Sequence, residues 1–406
     1  MARMYYAIAA ALLGAVCQAQ QPQDLGPFST ISDVGDVSRK TLVTYERSSG
    51  IYFISAAGEN MWGERDGFGF VWKDMKGDAS IGARVKFMGK SAQPHRKAGV
   101  MLRQSLAPDS IYVDAVVHGD GLTSLQYRAE TGGVTREIQC AQEAPTALRL
   151  EKRGDYIQLF TANEDGVFFA TGCQVKLPLG TKFLAGLAIC AHDNRAFENA
   201  RFSSVTVGLP PERRNVRISA IEVVPLDSLD RRILWFSSSR LEVPSFTAKG
   251  DAVCFREDGE LKILPLAGRS EPRLVGAENL ADCGTAAPPI SAGRRVMSRV
   301  VGGSSQIFLE STDGKPRQLT RDKHNHWTPR LAPDALSFVS MDGSAKVADG
   351  KPGAGDYLLV QRSLADGGER VLAQFYGGTG SLGISPWSGD GKRIIFVSRE
   401  PEASRD

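Results

Sequence analysis

The chain has 406 residues, 42 % of them hydrophobic, which is enough for two domains with cores of their own and too apolar for a disordered polymer. A formal net charge of +3, with no extended basic run, excludes the electrostatic footprint of a nucleic-acid binder. Forty-three glycines and twenty prolines, scattered among short apolar runs, favour many turns and strands over long helices.

The N-terminus reads MARMYYAIAAALLGAVCQAQ. Arg3 supplies a positive charge, residues 7–16 an apolar run, and Cys17-Gln18-Ala19 a small-residue cleavage site, so residues 1–19 are predicted to be a signal peptide cut after Ala19. The run is too short to span a bilayer, and no transmembrane segment is expected after cleavage. Cys17 could instead carry a lipid anchor, but Val16 and Gly14 fit a lipobox poorly. The expected location is periplasmic or secreted. In that oxidising setting Cys140, Cys173, Cys190, Cys254 and Cys283 are an odd set, so at least one thiol stays free. A Cys140–Cys173 bond is left open, and Cys254 and Cys283 read as buried small residues.

After a polar segment (20–39), residues 40–207 carry period-two patterns. In SIGARVKF, Ile81, Ala83, Val85 and Phe87 share one face, opposite Arg84 and Lys86. ALRLEKR, DYIQLFTA and KFLAGLAI repeat the pattern between Gly, Asp and Asn turns, which predicts a β-sandwich. GLPPERRN (208–215) holds no strand pattern and reads as a linker. From 216 to 400 the chain repeats itself, with 401–406 as a tail. PWSGDGKRIIFVSRE, FTAKGDAVCFR, LAPDALSFVS and the weaker ISAGRRVMS are four copies of a turn entering a strand, each preceded by a strand–turn–strand pair. Units of that size with about four strands apiece are predicted to be propeller blades.

The D-G-K-x-I-x-F-V-S pattern following Trp387-Ser388 resembles the repeat of TolB-like propellers, a periplasmic family that includes proteins named biopolymer transporter Tol. The resemblance covers about 216–399, and relatives usually carry six repeats where four are detectable here. In the first half, DGFGFVWKDMKGDASIGARV, KAGVMLRQSL and GLAICAHDN resemble a concanavalin A-like domain of secreted bacterial proteins, regulation-of-enolase or lectin-like, whose ligand is not established. Together the two resemblances imply an all-β chain: a jelly-roll sandwich followed by a TolB-like β-propeller.

Catalytic patterns are largely absent from the sequence. The E-x-D-x-x-E run of sandwich glycosidases does not occur between residues 40 and 208. GTGSLG (378–383) matches a dinucleotide fingerprint but leads into a turn where the cofactor needs a helix. No G-x-S-x-G, H-E-x-x-H or D-x-D-x-D-G motif is found, so no catalytic residue, metal or cofactor is assigned. Binding residues are easier to name. Trp62, Trp72 and Tyr127 could stack on a sugar, with Arg103 and His192 as polar partners, although the same residue types also fit core and ion-pair positions. In the repeat half, His324, Asn325, His326, Trp327 and Arg330, with Trp387 from another copy, are expected at the mouth of a propeller channel. The two His of His324-Asn325-His326 should point the same way on an extended segment, yet no third metal ligand is evident nearby. Two functions follow: a non-enzymatic binder of an envelope glycan or protein, or a hydrolase working in the channel with His324 and His326.

Overall fold

The computed structural model describes residues 23–89, 93–212, 217–267, 270–276, 281, 283, 294–310, 315–331, 335–341, 353–383 and 386–401. The expected leader, Cys17, and parts of the linker, of the ISAGRRVMS copy and of the tail lie outside these residues. The chain is all-β, and no helix occurs among the described residues. The first half runs β1 (Thr30–Val34), β2 (Leu42–Glu46), β3 (Ile51–Gly58), β4 (Phe68–Lys76), β5 (Ala79–Phe87), β6 (Lys97–Arg103), β7 (Tyr112–His118), β8 (Thr123–Arg128), β9 (Arg136–Gln139), β10 (Ala147–Arg153), β11 (Tyr156–Ala162), β12 (Phe168–Lys176), β13 (Lys182–Cys190) and β14 (Asp193–Gly208).

These strands form two sheets. One has the order β1-β4-β13-β6-β7-β8-β9 before it continues into the second half, and the other is β12-β11-β10-β5-β14-β3-β2. They pack face to face over one core, because the period-two patterns of both turn inward: Ile81 and Ala83 of β5, Leu148 and Leu150 of β10, and Ile157 and Leu159 of β11 meet Val100, Val113, Leu125 and Leu187 from the opposite sheet. Burial of these side chains is the main source of the sandwich's stability.

The second half runs β15 (Ser219–Pro225), β16 (Arg231–Ser237), β17 (Leu241–Phe246), β18 (Ala252–Glu257), β19 (Glu260–Pro265), β20 (Arg273–Leu274), β21 (Arg295–Val301), β22 (Ser304–Glu310), β23 (Pro316–Gln318), β24 (Asn325–Leu331), β25 (Ala335–Met341), β26 (Gly355–Ser363), β27 (Glu369–Gly377) and β28 (Arg393–Arg399). Its sheets are small antiparallel meanders: β17-β18-β19-β20, β21-β22-β23 and β24-β25-β26-β27. A further group joins the chain's last strand to its earlier ones, β28 pairing with β15 and β15 with β16. Neighbouring sheets touch through β17 and β28, β27 and β28, and β22 and β24.

The cysteines pair differently from the expectation. Cys254 of β18 is bonded to Cys283, whereas Cys140, Cys173 and Cys190 are buried thiols. The reason is position: the fold brings the two Cα atoms to 5.5 Å although 29 residues separate them, a proximity that spacing along the chain does not reveal.

The two halves share a sheet and a core. β16 pairs in parallel with β9, Arg231 opposite Ile138 and Arg232 opposite Gln139. Ala220 and Ile233 belong to the sandwich core, and Phe169 of β12 stacks on Phe236 of β16. Lys176 forms an ion pair with Asp356 at 2.7 Å, and the Tyr156 hydroxyl donates to the same carboxylate.

Candidate functional site

On strands β6 to β9 every second side chain turns away from the sandwich core. Pairing places Lys97 opposite His118, Asp114 opposite Gln126, and Gln126 opposite Glu137. Such an alternation ordinarily marks a wet face. Here all five are buried, because the segment between β3 and β4 folds across them, pinned by a bridge between Asn60 and Gly67.

The cluster is a connected network. Lys97 Nζ donates to Asn60 Oδ1 at 2.8 Å, to the Met61 carbonyl at 3.1 Å and to Gln126 Oε1 at 3.1 Å. Gln126 Nε2 donates to Glu137 Oε1 at 3.1 Å and lies 3.2 Å from His118 Nε2. Burial governs the protonation of these groups. It pushes the Lys97 ammonium down, against the pull of Cys190, Asp114 and Glu137, and holds the Asp114 carboxyl well above the usual carboxylate range, Lys97 opposing. Burial, reinforced by Lys97, takes the His118 imidazole down to about 4.

A second layer holds the covering segment. Asp66 accepts from Arg128 at 2.7 and 2.9 Å and from Arg103 at 3.3 Å, and all three are fully buried. Arg128 also donates to the Gly63 carbonyl, and the Tyr112 hydroxyl donates to that of Met61. Trp62 lies between these two anchored residues, half-buried, with Lys97 Nζ 5.0 Å from its ring centroid. The His192 ring, also half-buried, sits 5.4 Å from that of exposed His95. Burial lowers His192 below the ordinary imidazole value.

Of the sandwich residues picked from sequence, Trp62 and His192 therefore reach the rim of this cluster. Arg103 lies beneath it and braces the covering segment, its remaining donors taken by the carbonyls of Ser105 and Ala107. Tyr127 packs on the opposite face, against the sandwich core. Lys97, Asp114, His118, Gln126 and Glu137 escaped sequence reasoning. Their one signal is a titratable or amide side chain at the outward positions of four consecutive strands.

In the second half, His324, Asn325, His326, Trp327 and Arg330 lie on or beside β24, the edge strand of its sheet. His326 Nε2 is 2.9 Å from Asp322 Oδ1, and His324 Nδ1 is 3.4 Å from the same oxygen. The pair diverges in exposure: His324 reaches solvent, while His326 is buried edge-on against Phe338. Asn325 is buried, its Oδ1 accepting from the Ser305 amide at 2.8 Å. Trp327 and Trp387 belong to one apolar cluster with Tyr357, Phe375 and Phe396. Trp387 lines a narrow gap with Thr328 and Leu382 that has no room for a water molecule. Of the six residues only His324 and Arg330 are open to a ligand without rearrangement.

No family model matches the chain. An uncharacterized protein of Agrobacterium fabrum is 28 % identical over 183 residues, which are 44 % of this chain. This chain spans 58 % of that relative's length. Among solved structures, a provisionally named TolB from Agrobacterium tumefaciens is 17 % identical, covering 46 % of this chain and 99 % of its own at a TM-score of 0.38. A carbohydrate-binding module from Bacillus subtilis is 14 % identical, covering 45 % of this chain and 96 % of its own at a TM-score of 0.31.

Proposed function

We propose that this is an exported, non-enzymatic binding protein of the bacterial cell envelope. Its sandwich is a lectin-like module recognising a glycan, and its four small sheets are a TolB-like propeller supplying a second docking surface, for a glycan or protein partner. The observation that carries the reading is Trp62. An aromatic ring at a site rim offers apolar area to the C–H face of a pyranose. This ring is held in place before any ligand arrives, by Lys97 beneath it and by hydrogen bonds to the backbone on both sides. Preorganisation of that kind lowers the ordering cost of binding. In this reading His192 and His95, whose rings lie 5.4 Å apart, are the polar partners of the sugar hydroxyl groups.

Titration of the full chain with neutral oligosaccharides from envelope polysaccharides tests the reading. Binding should weaken about tenfold or more in Trp62→Ala, the loss expected for a stacking residue. Binding unchanged in that variant, or no binding by any glycan, would overturn it.

A further inference from the structure

Of the three buried thiols, two lie against each other. Cys140 Sγ and Cys173 Sγ are 2.9 Å apart. Packed carbon atoms stand about 3.5–4.0 Å from one another, and sulfur is the larger atom. A bonded pair needs about 2.05 Å, so closing this contact takes a movement of about 0.9 Å. The two residues are 33 apart in the chain and come from opposite sheets: Cys140 directly follows β9, and Cys173 lies in β12.

Both backbones are anchored where the contact requires. The Cys140 amide donates to the Thr123 carbonyl at 2.9 Å, which prolongs the β8–β9 ladder by one residue. The Cys173 amide donates to Thr171 Oγ1 at 3.2 Å, and that hydroxyl donates in turn to the Leu159 carbonyl at 2.8 Å. The Cys173 sulfur also lies 3.8 Å from the Ile138 carbonyl of β9. Two strands hold the sulfurs together, and no loose loop is involved.

No other thiol among the described residues competes. Cys190 belongs to the cluster of Phe68, Met101 and Tyr112, whereas its neighbour Ile189 shares the sandwich core with Cys140 and Cys173. Successive residues of a strand face opposite ways, so the sheet containing β13 separates Cys190 from the pair. Cys254 and Cys283 are already bonded, and such bonds persist where thiols meet an oxidant.

We propose that Cys140 and Cys173 are an oxidation site: supplied with a small-molecule disulfide as the chain folds, they close to an intramolecular disulfide that clamps the two sheets of the sandwich. One protein thiolate attacks a sulfur of the oxidant, forming a mixed disulfide and expelling the first oxidant thiolate. The second protein thiolate attacks the protein-bound sulfur of that intermediate, forming the Cys140–Cys173 bond and expelling the other. The protons given up by the two protein thiols pass to the two expelled thiolates. Burial sets the timing. It holds the Cys173 thiol well above its ordinary value, reinforced by Cys140, and the thiolate is the attacking species. A chain folded with both groups as thiols, the state seen in this structure, therefore keeps them, and the exchange belongs to folding. The clamp falls at the joint between the halves, because Gly172 beside Cys173 faces Ala220 and β9 pairs with β16. It is independent of Trp62 and of glycan binding.

The test refolds the urea-unfolded, reduced full chain with glutathione disulfide or with a reductant. Each sample is then denatured in N-ethylmaleimide and digested with trypsin without reduction. In the oxidised sample peptides 137–149 and 154–176 should appear as one cross-linked mass, with Cys190 in peptide 183–195 blocked by maleimide. Maleimide on both Cys140 and Cys173, glutathione left on either, or a bond from either to Cys190 would each overturn the proposal. Stability gives the second readout. The ratio of unfolding constants in reductant and in oxidant should be about a hundredfold larger for wild type than for Cys140→Ala/Cys173→Ala, in which only Cys254 and Cys283 can close. Equal ratios would show that no clamp forms, and if the double variant does not fold, the peptide map of the wild type decides.

Discussion

His118 shows how far burial can set the chemistry of one side chain. It sits among Lys97, Ser124, Gln126 and Glu137, and burial keeps its imidazole neutral down to about pH 4. An imidazole in the unfolded chain titrates near 6.5, so between about pH 6.5 and 4 the unfolded state takes up a proton that the folded state refuses. Stability contributed by His118 is therefore complete above about pH 6.5 and falls as the pH drops through that window. Asp114 acts in the opposite sense, because its carboxyl stays protonated in the fold at pH values where an unfolded one ionises. The clean measurement is a difference: the stability advantage of wild type over His118→Gln, from urea unfolding, should shrink by on the order of 3 kcal/mol between pH 7 and pH 4. A constant difference would show that His118 titrates as an exposed imidazole does. At this scale sequence was least informative. Asp114 and His118 alternate with Val113, Ala115 and Val117, as on any half-wet strand, yet both are buried in the fold.

Strands were the most legible elements. SIGARVKF became β5 with Ile81, Ala83, Val85 and Phe87 on the core side, and ALRLEKR and DYIQLFTA became β10 and β11. Period two is a local property, so it survives without knowledge of partners. Bulges and cross-links are not local in that sense. The slip at Thr328 looks in sequence like any Thr-Pro dipeptide, and it alone aligns Arg330 with Trp327. Likewise nothing in the spacing of Cys254 and Cys283 distinguishes a bonded pair from two buried thiols. Their bond ties β18 to a segment 29 residues on. Closing a loop of that length removes unfolded-state entropy worth about 3 to 4 kcal/mol. The double variant Cys254→Ala/Cys283→Ala should lose stability of about that size in denaturant unfolding, and a reductant should bring the wild type to the same value. A loss well under about 1 kcal/mol would mean that the reduced chain keeps this region ordered.

At the scale of the whole molecule, the boundary read from GLPPERRN does not describe how the halves are coupled. The polar, proline-rich connection reads as a linker, and across it β9 and β16 continue one sheet while Ala220 and Ile233 fill the sandwich core. Sequence could not show this, because parallel pairing between distant strands leaves no periodic trace. Polar contacts cross the joint as well: Arg136 Nη1 donates to the Ser228 carbonyl at 2.9 Å, the Glu137 amide to Asp230 Oδ1 at 3.2 Å, and Lys176 pairs with Asp356 at 2.7 Å. With a shared sheet, a shared core and these polar contacts, neither half can unfold without exposing apolar surface of the other. Calorimetry should accordingly show one cooperative transition for the full chain, and two well-separated transitions would refute the coupling. Gly172 offers a point at which to weaken it. Its φ is 80°, and an added Cβ would lie 2.5 Å from that of Ala220. Gly172→Ala combines backbone strain with a clash across the joint, so it should cost about 1–3 kcal/mol and lower the single transition as a whole. Separation of that transition into two in the variant would place the coupling at this contact, with the β9–β16 pairing too weak to maintain it alone.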